Sequence, residues 1–434
     1  MSLRILPKRC RKSSAASSSF APRTERTVSK TWAERSTISD STESGWMSSK
    51  GVPIASLRRL GRSSPSFFDK SPSSLDKEEL QNKGMRSFLT SIHKALLLGG
   101  SSLLLHLAFF FLVPVPTAWV ERVHAKGIFP VLRYLFGAPL SLLPFSFSEL
   151  LLFSLALLLA LALGRAALGK SAIPLFSFLA WTLIVLGHLY FLGFGWLYRR
   201  PPLMQRLQLT VPSPSRSLLR ETALELAQKA RKLRCPPPPL EEIPELSLEA
   251  VRGVLPELKA PPLPPTRLKP VFPTGLLLHF GVSGIFSPFT QEAHFDPGLD
   301  PLDLAFVAAH ECGHLAGFAP EDQASFVAWL ALDRAPHPYL RYASSVSALA
   351  HLETYLAPED LKAIREAAGP EVLADRRQAG ERFASFRWNL GAKVSGMFYD
   401  SFLKAQGVSE GVQSYNAFVL LILAWKEKHS HENF

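Results

Sequence analysis

The chain has 434 residues, a formal net charge of +12 at pH 7 and 35 prolines, and 47% of its residues are hydrophobic. The apolar residues gather in long runs, which excludes a single small soluble domain. The basic residues concentrate in a Ser-rich N-terminal tail and beside those runs, which predicts a lipid bilayer as the partner and not nucleic acid.

Residues 1–90 are rich in Ser, Arg and Lys and show no apolar periodicity. Such a segment buries too little surface to offset the entropy of ordering, so a disordered basic tail is predicted. Met85 begins a short basic segment that runs directly into a hydrophobic stretch, as a natural start would. Met85 is therefore predicted to be the true initiator.

Residues 91–200 are predicted to form a transmembrane region with three helices. The apolar stretches are Ala95–Pro116, Phe145–Gly164 and Ile173–Tyr198. Crossing a hydrocarbon core takes about 20 apolar residues at about 1.5 Å rise per residue. Core helices of a soluble protein seldom lose every charged residue over such a length, which favours membrane spans.

An odd number of spans puts the two ends of the chain on opposite sides of the membrane. A cytoplasmic tail and a cytoplasmic Arg165–Lys170 loop would leave the C-terminal domain outside the inner membrane. Other basic residues favour the opposite orientation: Arg122, Lys126, Arg133, Arg199 and Arg200. The predicted arrangement is a multi-pass protein with an extracytoplasmic C-terminal domain.

Residues 201–275 are predicted to contain an amphipathic helix followed by a proline-rich linker. Ser215–Arg234 has helical apolar spacing, a cap-competent start and a basic end. Cys235–Pro273 is too rich in proline for continuous helix or central strand, although Ser247–Leu255 can form a short helix. The linker leads to a compact domain at 276–434.

The strongest motif of the chain is His310-Glu311-Cys312-Gly313-His314, which has the HExxH form inside an apolar helical pattern. Residues four apart share one helix face, so the imidazoles of His310 and His314 can bind one Zn²⁺ ion. Glu311 then lies beside the ion and can take a proton from a water that the zinc activates. The motif predicts a zinc site with Glu311 as general base.

The third predicted zinc ligand is Glu321. Gly317 can end the motif helix in a left-handed cap, and a second helix can start at Pro320. The first turn of that second helix can direct a carboxylate back toward the histidines. Alternatively, Glu321 and Asp322 only complement the positive end of the second helix dipole.

From about Leu96 to Trp425 the chain resembles a bacterial family of multi-span membrane proteins known only as a domain of unknown function. The segments that carry the resemblance are HECGHLAGFAPEDQASFVAWLAL, SGIFSPFTQEAHFD, WLYRRPPL, LRYASSVSAL and FLKAQGVSEGVQSY. The motif helix is similar to those of gluzincin-type membrane zinc peptidases, including CAAX-processing proteases. This resemblance implies a bacterial inner-membrane protein with peptidase chemistry.

The third ligand of the CAAX-type enzymes is the Glu of an ExxAD motif, which Glu321 and Ala324 match here. The family usually has a second acid and an Asn where this chain has Gln323 and Ser325. If that second acid is the family's ligand, Asp322 or water must replace it. The connection between the motif helix and Glu321 is also shorter than in the CAAX-type enzymes, which implies a different turn.

Several other residues are weaker candidates. Ser283–Phe295 is either an ordinary loop or a strand edge that pairs with a substrate backbone. Arg341 and Tyr342 could stabilise an oxyanion on the hydrated carbonyl, or act as structural residues. His294, His337 and His351 are more typical of surface or core histidines than of metal ligands. Cys312 is predicted to be a small buried side chain and not a nucleophile.

The predicted fold is mainly α, with three transmembrane helices followed by a zincin-like helical domain that includes a possible small strand element. The predicted function is that of a membrane-anchored zinc metallopeptidase acting on a peptide or protein substrate. The alternatives are a noncatalytic membrane protein whose ion only joins two helices, and a scaffold without metal. The sequence does not determine the oligomeric state.

Overall fold

The computed structural model of the chain describes residues 74–210, 215–406 and 416–430. Most of the segment predicted as a disordered tail, residues 1–73, lies outside the described residues. The first described helix begins at Ser74, so the end of that segment is helical and continues into the first span.

The membrane region contains α1 (Ser74–Leu112), α2 (Thr117–Trp119), α3 (Phe129–Leu132), α4 (Ala138–Ser141), α5 (Phe147–Ala167) and α6 (Ile173–Gly193). Two π-helical turns, Val120–Ile128 and Arg133–Gly137, connect the short helices, and a 3-10 turn, Gly195–Arg199, follows α6. Three helices are long and apolar enough to cross a membrane: Leu89–Leu112, Phe147–Ala167 and Ile173–Arg199. The three predicted spans are therefore confirmed to within a few residues.

The rest of the described chain is a helical domain with one small sheet. Its elements are α7 (Leu203–Arg206), α8 (Arg216–Leu233), α9 (Ile243–Val254), β1 (Lys269–Pro270), α10 (Leu276–His279), β2 (Gly284–Ser287), β3 (Glu292–Phe295), α11 (Pro301–Leu315), α12 (Glu321–Arg334), α13 (Pro338–Glu353), α14 (Pro358–Ala368), α15 (Pro370–Phe386), α16 (Asn389–Ala405) and α17 (Asn416–Ser430). The predicted mainly helical class, with a small strand element, is confirmed.

Helices α8 and α9 are part of the hydrophobic core of the helical domain, whereas this region was predicted to be an amphipathic helix and a linker. The hydroxyl of Ser215 accepts a hydrogen bond from the Leu218 backbone amide, which caps α8 as predicted. Leu226 of α8 and Leu248 of α9 are buried in the same core as the motif helix. The proline-rich stretch therefore connects two helices that belong to the domain core.

Helix α11 is the central helix of this core and packs against α9, α12 and α13. It is buried nearly all round, which is expected for a helix that is apolar on most of its faces. A Cβ atom on Gly313 would lie 3.1 Å from the Cα of Ala324 in α12. These two small residues let α11 and α12 approach closely, which positions the start of α12 beside the motif.

The sheet has the strand order β1-β3-β2, with β3 parallel to β1 and antiparallel to β2. Of the two readings of Ser283–Phe295, the strand is confirmed, with Ile285 paired to His294. The backbone amides of Phe147 and Ser148 donate to the Glu292 carboxylate over 3.1 and 2.8 Å. Strand β3 thereby caps the start of the second span and joins the sheet to the membrane region.

Two arginines of the membrane region bind the C-terminal end of α11. Arg133 donates to the Leu315 carbonyl over 2.8 Å, and Arg200 donates to the Gly317 carbonyl over 2.6 Å. Both arginines are buried, and Arg200 also pairs with Glu121 at 2.7 Å. Cations at a helix C terminus satisfy free carbonyls and interact favourably with the helix dipole. Arg133 and Arg200 therefore stabilise the contact between the membrane region and the end of α11.

Candidate metal centre

The motif helix begins and ends as its sequence predicts. Asp300 caps its start by accepting a hydrogen bond from the Leu302 amide at 3.0 Å. At its end, Gly317 has a φ of +91°. The Phe318 amide donates to the Gly313 carbonyl at 3.1 Å and the Gly317 amide to the His314 carbonyl at 2.9 Å. This Schellman cap confirms the predicted left-handed end and turns the chain sharply toward α12.

Helix α12 begins at Glu321, so its first turn faces the two histidines of α11. The Nε2 atom of His310 lies 3.0 Å from Glu321 Oε2, and the Nε2 atom of His314 lies 3.4 Å from Glu321 Oε1. The potential ligand atoms of the three residues all lie within 4.8 Å of one another. The sequence therefore identified three residues that the fold brings together, while Asp322 is not part of this cluster.

Hydrogen bonds at the other ring nitrogens orient both imidazoles. The Nδ1 atom of His314 lies 2.9 Å from the Phe318 carbonyl, to which it donates. The Nδ1 atom of His310 lies 3.1 Å from the Ser325 hydroxyl. Metal-binding histidines are typically held in this way, with the second ring nitrogen bonded to a carbonyl or side chain. Both Nε2 atoms are thus directed at Glu321, and this donor set suits Zn²⁺.

We expect Ser325→Ala to weaken zinc binding by about 10- to 100-fold, because it removes the hydroxyl that orients His310. The measurement is zinc affinity by competition with a fluorescent chelator. Ser345→Ala is the matched control, since within the described part of the chain its hydroxyl bonds only the Arg341 carbonyl of its own helix, at 2.9 Å. Equal zinc affinity in the two variants would contradict a role of Ser325 at the metal.

Glu311 meets the requirements of a base beside such an ion. Its Oε2 atom is buried and, among the described residues, has no hydrogen-bond partner. A buried carboxylate oxygen without a partner is costly unless another group, such as a water held near the histidines, completes it. A Cβ atom on Gly284 of β2 would lie 2.8 Å from Glu311 Oε1, so glycine leaves room for the carboxylate there.

The electrostatics of the metal-free site follow from burial and from one ion pair. Burial raises the pKa of Glu311 to about 8, so a cation beside this carboxyl is needed to keep it ionised as a base at neutral pH. Burial also disfavours the charged form of His314, but Glu321 outweighs it and raises the His314 pKa to about 9. The same pairing, with hydrogen bonds from both histidines, overcomes burial and holds the pKa of Glu321 well below its usual value. A proton on His314 thus balances Glu321, and a bound metal ion must displace that proton.

The cluster lies at the base of an open cleft of about 580 Å³. Aromatic side chains from the end of the third span form one wall: Tyr190, Phe194 and Tyr198. Strand β2 and, from α16, Tyr399 and Phe402 also line the cleft, and the Phe402 ring packs against the ring of Tyr190 at 5.9 Å. The Tyr399 hydroxyl donates to Glu321 Oε1. Sequence reasoning missed Tyr399, because it is distant in sequence and belongs to no motif of fixed spacing.

Arg341 and Tyr342, the predicted oxyanion donors, do not line this cleft. The Tyr342 hydroxyl instead donates to Asp375 at 2.7 Å, in a separate pocket. The helical period explains the difference, because His351 of the same helix lines the cleft and Tyr342 is nine residues earlier, a rotation of about 180°. Tyr342 therefore has the structural role that the sequence left open, and neither residue lies where it would contact a substrate in the cleft.

The remaining histidines and Cys312 lie outside the cluster. His294 is buried in the sheet and bonds the Ser146 hydroxyl at 2.8 Å, and His337 caps α13. His351 lines the cleft, and its Nδ1 atom bonds the Ser347 carbonyl of its own helix at 2.8 Å. Burial raises the pKa of the Cys312 thiol above its usual range, which agrees with a packed and unreactive side chain.

Residues 124–423 match the model of a family described as a protein of unknown function, DUF3810. The chain belongs to the DUF3810 family. The match includes the second and third spans, the motif helix α11 and Tyr399, and it confirms the resemblance to a family of unknown function; it does not test the similarity to gluzincin-type peptidases. No curated protein and no solved structure matches the chain. Membership in DUF3810 thus supplies no activity, and the chemistry must be inferred from the site.

Proposed function

We propose that this DUF3810 member is a membrane-anchored zinc-dependent metallopeptidase of the HExxH type, related in its site to gluzincins. The observation that carries the proposal is the convergence of His310, His314 and Glu321 beside the buried, unpartnered carboxylate oxygen of Glu311. The cleft beside these residues is large enough for a substrate, and strand β2 forms part of its wall. A metal site that only stabilises the fold does not need such a cleft.

The reaction requires a base, an acid and a means of holding the peptide. A bound zinc ion would supply a Lewis acid for the carbonyl oxygen and would lower the pKa of a water molecule. Glu311 would accept a proton from a water molecule held there, as the oxygen of that water bonds to the carbonyl carbon and the carbonyl electron pair moves to the carbonyl oxygen. The bond from carbon to nitrogen then breaks, and Glu311 returns the proton to the leaving amine. Tyr399 takes the donor role first assigned to Arg341 and Tyr342, because its hydroxyl lies beside Glu321.

The alternative of a structural metal site would need a fourth protein ligand that closes the coordination sphere. Tyr399, whose hydroxyl donates to Glu321, is one described side chain that lies beside the cluster. The carboxylate oxygen of Glu311 without a partner is better explained by an exchangeable water, which favours catalysis.

We further propose a bacterial inner-membrane location with the C-terminal domain outside the cytoplasm. The start of α5 contacts β3 and the end of α6 contacts the metal cleft, so the turn between α5 and α6 lies at the opposite ends of both helices. Arg165, at the end of α5, and Lys170, in that turn, are exposed and support this orientation, whereas the exposed Arg122 and Lys126 of the first loop support the reverse one; Arg133 and Arg200 on the domain side are buried. Exposed basic residues favour the cytoplasmic side.

The proposed function is tested on the full chain purified in detergent. We expect it to contain zinc and to cleave members of a peptide library, to lose both properties on chelation and to recover both when zinc is restored. Zinc without cleavage of any peptide would favour the structural alternative. Absence of bound metal would favour a scaffold without metal.

A further inference from the structure

A second, apolar groove of about 630 Å³ adjoins the metal cleft. Its lining residues are Phe280, Trp388, Leu390, Gly391, Val394, Ser395, Phe398, Tyr399 and Phe402. Three of these residues, Ser395, Tyr399 and Phe402, also line the metal cleft, so the two spaces lie side by side. None of the nine lining residues carries a formal charge at neutral pH.

The groove exposes an apolar face of α16 along one side of the helix. Leu390, Val394 and Phe398 are 59%, 44% and 75% exposed, and they are four residues apart. Residues at this spacing share one helix face. A contiguous apolar surface of this kind is typical of a binding site for another apolar molecule.

A free strand edge runs beside Glu311. Strand β2 is an outer strand of the sheet among the described residues, and the Asp296 amide donates to the Ser283 carbonyl on its inner side. Because the bonding direction alternates along an antiparallel strand, the peptide groups of Gly284 and Phe286 point to the outer edge. An unpaired edge of this kind can bind an extended peptide backbone as an added strand.

We infer that the substrate is an extended peptide whose side chains near the cleavage position are apolar, and that the α16 groove binds them. The inference rests on the proposed peptidase function. The β2 edge binds the peptide backbone next to Glu311, and the adjoining α16 groove binds the peptide side chains near the cleavage position. A peptide with charged side chains at these positions would lose their hydration without gaining an ion partner, which is costly.

The test measures peptide binding and not turnover. The protein is the full chain carrying Glu311→Gln, loaded with zinc in detergent, and the probes are two short fluorescein-labelled peptides of equal length. One has leucine and phenylalanine at its central positions, and the other has glutamate and lysine there. Fluorescence anisotropy gives the two affinities, and the apolar peptide is expected to bind at least about tenfold more tightly.

A matched pair of substitutions locates the binding. Leu390→Glu changes a groove residue, whereas Met397→Glu changes a residue of the same helix that is 63% exposed and lies outside the groove lining. Leu390→Glu is expected to weaken binding of the apolar peptide by at least about tenfold, and Met397→Glu by less than about twofold. Equal binding by both variants, or equal loss in both, would overturn the inference. Equal loss would indicate that this face of α16 contacts lipid.

Failure of this inference is distinguishable from failure of the proposed function. If the parent chain cleaves peptides but cleaves the charged probe as well as the apolar one, the peptidase stands and the inferred specificity is wrong. If the apolar probe binds in the groove and no peptide is cleaved, the groove stands as a binding site and the peptidase is wrong.

Discussion

Replacing Glu311 with Gln is expected to lower peptide turnover by about 10²- to 10⁴-fold, the contribution of a positioned general base. The amide matches the carboxylate in size, so the substitution preserves the packing against Gly284, but it cannot accept the proton. The metal ligands are unchanged, and zinc content should therefore equal that of the parent chain. The measurement combines turnover of a peptide cleaved by the parent with zinc determination by mass spectrometry.

The control for this substitution is Asp322→Asn, which neutralises a neighbouring acid outside the ligand cluster. It is expected to keep both zinc and turnover. Equal turnover in Glu311→Gln and the parent chain would defeat the proposed mechanism, whatever the zinc content.

Replacing Glu321 with Ala is expected to remove bound zinc, because the two imidazoles alone leave the ion with too few protein ligands. The loss also leaves His314 without the carboxylate that balances its charge in the metal-free site. In the parent chain, free zinc at a hundred times the dissociation constant should stabilise the fold by about 2.7 kcal/mol. Thermal unfolding with and without zinc should show that stabilisation in the parent and its loss in Glu321→Ala.

Asp322→Ala separates the two interpretations of the first turn of α12. If both acids only complement the helix dipole, the two alanine variants should lose similar, small amounts of stability and keep zinc. If Asp322→Ala loses zinc while Glu321→Ala retains it, the third zinc ligand is Asp322 and not Glu321.

The parts of the fold that depend on local spacing were predictable from the sequence. The apolar stretches identified the three spans, and the positions of Asp300 and Gly317 set the ends of α11. The separation of His310 and His314 by four residues placed both imidazoles on one face, because the helical period is fixed. Glu321 followed from the short turn that Gly317 permits.

The parts that depend on how helices pack were not predictable in the same way. Tyr399 reaches Glu321 from a helix 78 residues later in the chain. Tyr342 was assigned to the site from sequence proximity, but its rotation about α13 directs it to Asp375. Ser325 had no role assigned from the sequence, and only the packing of α11 on α12 reveals that its hydroxyl bonds His310.

The bonds from Arg133 and Arg200 to the end of α11 have a practical consequence for biochemistry. A soluble fragment that starts at Pro201 would lack both guanidinium groups, and the carbonyls of Leu315 and Gly317 would lose these partners. It would also lose the aromatic wall that Phe194 and Tyr198 contribute. A truncated fragment made for crystallisation would thus lose part of the lining of the metal cleft. The intact chain in lipid nanodiscs is the better preparation for structural and binding experiments.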